Sequence, residues 1–157
     1  MNLSEHFTLK ELTVTTHKNI DNTAPPGVID NLKRLANFLE KVRTLLKNKP
    51  IIITSGYRCK TLNDAVGSKD SSQHLIGCAA DFHVEGMNID KIINTIIDSD
   101  LEYDQVIREF GVGTLGWCHI SIPSSQDQKP RRESLIIDSS GTRNYIPRKT
   151  NKISMDT

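Results

Sequence analysis

After Pro25-Pro26-Gly27 the apolar residues Ile29, Leu32, Leu35, Ala36, Leu39, Val42 and Leu46 recur at helical spacing, while Lys33, Arg34, Glu40 and Lys41 mostly take other faces. So long a stripe commits the chain to a helix that must bury one face, and the other elements have to supply the surface that receives it. The β-branched run Ile51 to Thr54, ending at Ser55-Gly56, predicts a buried strand that delivers Tyr57 and Arg58 to its end. A second strand is expected over Ala79 to Val84, then a helix capped by Asn88 whose Ile89, Ile92, Ile93, Ile96 and Ile97 form one stripe. Strands around Gln105 to Glu109 and Trp117 to Ile122 follow. In the latter, alternation sets Trp117, His119 and Ser121 against Cys118, Ile120 and Ile122. The sum is an α+β domain with helices packed on one face of a small, mainly antiparallel sheet.

A chain of 157 residues suffices for one core that hides about two-thirds of the surface of its unfolded form. With 36% hydrophobic and 25% charged residues, the composition is that of a soluble globular protein. A formal net charge of +1 and sparse aromatics argue against a nucleic-acid binder. No run approaches the roughly 20 apolar residues of a membrane span, and Met1 to Leu12 has no apolar h-region. Synthesis in the cytoplasm without a signal peptide, no membrane contact and a monomeric state are the expectations. The cysteines Cys59, Cys78 and Cys118 are odd in number and lack Cys-x-x-Cys spacing, which points to reduced thiols.

Residues 1–123 read as the single domain and residues 124–157 as a C-terminal extension. Within the extension, Leu135 to Asp138 and Asn144 to Ile146 are expected to form a hairpin around Ser139-Ser140-Gly141, packed on the same domain. Its basic residues Lys129, Arg131, Arg132, Arg143, Arg148, Lys149 and Lys152 are either a solvated terminus or a contact for an anionic polymer.

A catalytic zinc takes three protein ligands of imidazole, thiolate or carboxylate type and keeps its fourth position open. The chain has no His-Glu-x-x-His helix, so such a set must be assembled from separated segments. His74 in a loop, Asp81 on one strand and His119 on another could converge if those strands are neighbours. The spacing alone is not decisive, because five histidines and many acids permit other triples.

The run Ser72-Gln73-His74-Leu75-Ile76-Gly77-Cys78-Ala79-Ala80-Asp81 resembles the Ser-x-His-x-x-Gly-x-Ala-x-Asp signature of the zinc D-Ala-D-Ala carboxypeptidase family. That family includes phage L-alanyl-D-glutamate endolysins and relatives of the hedgehog signalling domain. Ser55-Gly56-Tyr57-Arg58 upstream and Trp117-Cys118-His119-Ile120-Ser121 downstream agree with it in order and separation. The likeness covers roughly Leu3 to Pro123, with a Phe7-x-x-x-Glu11-Leu12 opening. It implies the hedgehog/DD-peptidase-like fold and one zinc ion per chain held by His74, Asp81 and His119. It also implies hydrolysis of a stem-peptide bond in peptidoglycan by zinc-activated water, at either a D-Ala-D-Ala or an L-Ala-D-Glu bond; the expected lack of a signal peptide then favours a phage-type lysin or virion-associated enzyme, acting at the cell wall, over a secreted carboxypeptidase.

The same likeness gives Arg58 the task of binding a substrate carboxylate or developing oxyanion; the alternative is pairing with an internal acid. Glu109 is the candidate general base, or else a residue that orients a ligand. The departure lies in the insert from Phe110 to Gly116, where Thr114 and Gly116 stand in places that relatives give to a carboxylate or histidine. Ser72 either fixes the His74 loop or is an ordinary turn hydroxyl, and Gly77 is expected to let backbone approach the metal. Gln73, Tyr57, His83 and Trp117 complete the candidates for substrate or supporting contacts, Tyr57 more simply read as packing and His83 as an exposed polar residue. His6 and His17 read as surface residues, and Cys118 as a buried, inert thiol. Two rival functions stand beside hydrolysis: a zinc-containing binding module, and a virion structural module whose zinc only stabilises the fold.

Overall fold

The stripe that follows Pro25 folds as α1, Pro26–Leu45, in a computed structural model that describes residues 1–111 and 116–146. Val112 to Leu115 of the insert, Thr114 included, and Arg148, Lys149 and Lys152 of the basic tail lie outside the described residues. Pro26 suits the first helical turn, where its missing N–H has no partner to lose. Leu32, Leu35, Ala36, Leu39 and Val42 are the buried face of α1. The second long stripe is α3, Ile89–Ile97, whose cap Asn88 accepts from the Asp90 N–H at 2.8 Å through its side chain. Ile89, Ile92, Ile93 and Ile96 are fully buried there, each contributing about 1.5–3 kcal/mol of transfer free energy.

These two helices cover one face of a six-stranded sheet made of β1 Ile52–Ser55, β2 Ala79–His83, β3 Gln105–Glu109, β4 Trp117–Ser121, β5 Glu133–Asp138 and β6 Gly141–Asn144. The order is β1-β2-β4-β3-β5-β6, and every neighbouring pair is antiparallel except β3 with β5. Ala80, Phe82, Val106, Cys118 and Ile120 meet the helices in a single core. The expected α+β architecture and mainly antiparallel sheet are therefore present.

Three local expectations need correction. The first strand is an edge strand rather than a buried one: Ile53 is buried but Ile52 is 40% exposed. A four-residue apolar run cannot by itself distinguish the two. Its register with β2 shifts between Ile53 and Ser55, an irregularity that re-aims the strand end. Next, a short helix, α2 Lys60–Ala65, occupies a stretch for which no element was expected. Its cap is the Cys59 sulfur, which accepts from the Leu62 N–H at 3.4 Å, and Leu62 and Val66 border the cleft described below. Finally, the C-terminal hairpin turns at Ser139-Ser140, so its second strand starts at Gly141, and Tyr145 and Ile146 follow it. Through β5 this hairpin continues the same sheet.

Candidate metal centre

Antiparallel pairing sets Asp81 of β2 directly opposite His119 of β4, and alternation turns both away from the helices. His74 arrives from a 3₁₀ turn, Gln73–Ile76, whose cap Ser72 accepts from the His74 N–H at 3.2 Å through Oγ. The turn ends at Gly77 in the left-handed region, φ 76°. A Cβ there would stand 2.9 Å from Val28 Cγ1, so the glycine serves the approach of this loop to α1. Gly56 has the closer constraint: a Cβ would lie 2.4 Å from the Leu12 carbonyl oxygen, while its own carbonyl accepts from His74 Nδ1 at 2.7 Å. That bond places the proton on Nδ1 and leaves the Nε2 lone pair of His74 turned toward the cluster, where it can bind a metal.

The three side chains converge. His74 Nε2 lies 3.3 Å and His119 Nδ1 3.0 Å from the same oxygen, Asp81 Oδ1, and the ligand atoms of all three lie within 4.8 Å of one another. Bonds of about 2.0–2.1 Å in a tetrahedron separate ligand atoms by roughly 3.3 Å, so the donor set and its spacing fit a zinc-sized divalent ion. All three residues are buried, and the two imidazole rings meet edge-on with centroids 5.1 Å apart. Burial alone would push the Asp81 carboxyl up, but the adjoining His74 and His119 imidazoles hold it well below the usual carboxylate range. Burial disfavours a charged His119, and contact with Asp81 outweighs that and raises its pKa.

Arg58 reaches the cluster from the far end of β1. Its Nη2 donates to Asp81 Oδ2 at 3.2 Å and its Nε to Ser55 Oγ at 3.0 Å. The internal acid weighed as its alternative partner is thus a member of the cluster. One Asp81 oxygen faces the arginine and the other the histidines.

Glu109 lies on the same sheet face, since β3 pairs Ile107 with His119 and Glu109 with Trp117. Its Oε1 accepts from Trp117 Nε1 at 2.7 Å. Burial, then the negative charge of Asp81, raise the Glu109 pKa above its ordinary value despite the Trp117 bond. Phe110, in the left-handed region at φ 53° and 56% exposed, stacks at a tilt on Trp117.

The cluster opens into a cleft of about 1060 Å³ that also takes in Arg58, Ser72, Gln73, His83, Glu109 and Trp117. His83, half-buried, lines it rather than standing exposed, and so does half-buried His17, which was expected at the surface. His6 is exposed and bonds Glu40 through Nδ1 at 2.7 Å. Gln73 turns its amide to Asp104 Oδ2 and the Ile122 carbonyl, both at 3.0 Å, and braces the loop. Tyr57 is buried in the core, and Cys118 is buried on the helix side with its thiol pKa pushed well up by desolvation. Asp104 was not anticipated; no motif marks an aspartate that acts by gripping Gln73 and Arg131. The Gly56 carbonyl that orients His74 was likewise out of reach, because a backbone acceptor carries no residue signature.

No curated protein matches the sequence. Comparison with known families matches residues 5–119 to the family described as peptidase M15. The matched region contains Arg58, the 3₁₀ turn and the strands that carry Asp81 and His119, and at this coverage the chain belongs to the peptidase M15 family.

Proposed function

We propose that the protein is a zinc peptidase that hydrolyses a bond in peptidoglycan stem peptides, with one zinc ion held by His74, Asp81 and His119. The observation that carries this reading is the convergence of those three side chains in a cleft that also holds a carboxylate of raised pKa, Glu109. Zinc bound there would polarise the scissile carbonyl and acidify the attacking water. Glu109, with Oε1 held by Trp117, takes the proton of that water and returns it to the leaving amine nitrogen. Arg58, already aimed at the cluster through Asp81, offers its remaining N–H groups to a substrate carboxylate or to the oxyanion of the tetrahedral intermediate. The two bonds that suit the family, D-Ala-D-Ala and L-Ala-D-Glu, are distinguished by the mass of their products. A lysin acting at the wall is the setting this chemistry fits.

The test is digestion of purified peptidoglycan and synthetic stem peptides by zinc-loaded protein, chelated protein and Glu109→Gln, with products read by mass spectrometry. A single cleavage lost in both controls is the expected result. Intact substrates across diverse walls, with zinc bound, would instead support a binding or structural role.

A further inference from the structure

The cleft does not end at the metal ligands. From β4 it continues over Gln105 and Ile107 of β3 to Leu135 and Ile137 of β5 and Thr142 of β6. Ile107 pairs with His119 on one side and with Leu135 on the other, and Glu109 pairs with Ile137. The apolar floor therefore begins one strand from a cluster histidine and runs beside the candidate base.

This floor is not required by the core. A strand with one open face ordinarily alternates apolar and polar residues. In β5 the helix-side position Ile136 packs against the core, yet Leu135 and Ile137, on the opposite face, are apolar as well and only half-buried. The hairpin that carries them is tied down at several points. Arg131 donates to Asp104 Oδ2 at 2.7 Å before β5, and the Phe110 N–H donates to the Ile137 carbonyl at 3.0 Å. Arg143 donates to Asp138 across the turn at 2.8 Å, and the Tyr145 hydroxyl donates to Asp90 at 2.9 Å after β6. A wall so anchored is preorganised. It also lies beyond residue 119, where the family match stops.

We infer that Ile107, Leu135 and Ile137 form a specificity subsite that receives an aliphatic side chain of the substrate peptide, away from the two residues joined by the cleaved bond. Its occupant is a peptide because the floor is continuous with the cluster where the bond is cut, an argument that rests on the peptidase reading above. From β4 to β6 there are three inter-strand steps, about 14 Å, which an extended peptide covers with about four residues. The protein accordingly reads several residues to one side of the cut, as an enzyme of extended chains does, and not a terminal residue alone.

The experiment uses stem-peptide analogues that carry, at each position outside the cleaved pair in turn, alanine, leucine or aspartate. Cleavage by the zinc-loaded full chain is compared with calorimetric binding to zinc-loaded Glu109→Gln. At one position, leucine should exceed aspartate by about 10-fold or more in kcat/KM. Leu135→Asn and Ile137→Asn should bring that ratio toward one, and Ile137→Val, which keeps an apolar β-branched side chain, should preserve it. Thermal melts of all variants separate lost folding from lost preference. Cleavage without any side-chain preference, or a preference that survives both asparagine variants, overturns the subsite and leaves the peptidase reading standing. A leucine preference in binding with no cleavage keeps the subsite and sinks the peptidase reading; neither binding nor cleavage overturns both.

Discussion

The two faces of β4 are almost equally buried and are built on opposite principles. Cys118 and Ile120 on one side, and His119 and Ser121 on the other, are all less than a tenth exposed. Under the helices, burial removes apolar area from water and needs no particular partner, so the requirement is volume. On the cleft side the same burial is tolerated only because polar atoms are matched. His119 and His74 meet Asp81, Asp81 meets Arg58, and the Ser121 hydroxyl accepts from the Gln105 N–H at 3.0 Å. One face should therefore govern whether the chain folds, and the other what the folded chain does.

The sharpest way to break that contrast is to exchange single residues that are neighbours on β4. His119→Ala should abolish metal retention and peptide cleavage, a loss beyond the roughly 100-fold that follows removal of a ligand's supporting partner. Metal content by atomic absorption, beside a circular dichroism spectrum like that of the parent, checks it. Glu109→Gln comes next: the amide oxygen can still accept from Trp117 Nε1 but cannot take a proton. Cleavage should fall by about 10²–10⁴-fold while metal content and melting temperature hold. Unchanged turnover would remove Glu109 from the chemistry. On the other face, Ile120→Ala should cost about 2–5 kcal/mol in denaturant unfolding, through lost transfer and a residual cavity, with metal stoichiometry kept in the fraction that remains folded. A loss of metal at full stability would show that the two faces are not separable.

Those same two principles explain what the sequence made legible. Apolar stripes report volume directly, which is why α1, α3 and the alternation in β4 could be read from spacing. The pairing of Asp81 with His119 needed only that two alternating strands be neighbours, but their assignment as candidate ligands came from motif likeness rather than periodicity. What escaped was local and polar, or nonlocal. Six residues capped by a thiol leave no stripe to mark α2, and the polar, exposed β6 has no alternation to find. The parallel pairing of β3 with β5 joins segments 28 positions apart, as in Gln105 with Glu133, and nothing in either run names its partner. Gly77 carries a constraint that its place in the motif does not announce. Its left-handed φ and its closeness to Val28 belong to the packing of the loop on α1, while the orientation of His74 comes from the Gly56 carbonyl.

The finest expected effect concerns Trp117, which faces the cleft beside His119. Burial and the charge of Asp81 raise the pKa of Glu109, whereas the Trp117 hydrogen bond stabilises the ionised carboxylate and opposes them. A base must be ionised to act, so the acidic limb of kcat/KM reports the Glu109 pKa in the free enzyme. Trp117→Phe keeps an aromatic ring against Phe110 but deletes the Nε1–H donor. With that donor gone the ionised form loses a partner, the pKa rises further, and the limb should move to higher pH. At alkaline pH, where Glu109 is ionised in both proteins, the two rates should approach each other. A limb that moves to lower pH would mean that the smaller ring admits water and relieves desolvation by more than the lost bond is worth. The rim of the cleft would then act mainly by keeping Glu109 dry, which joins it to the logic of the helix-covered face.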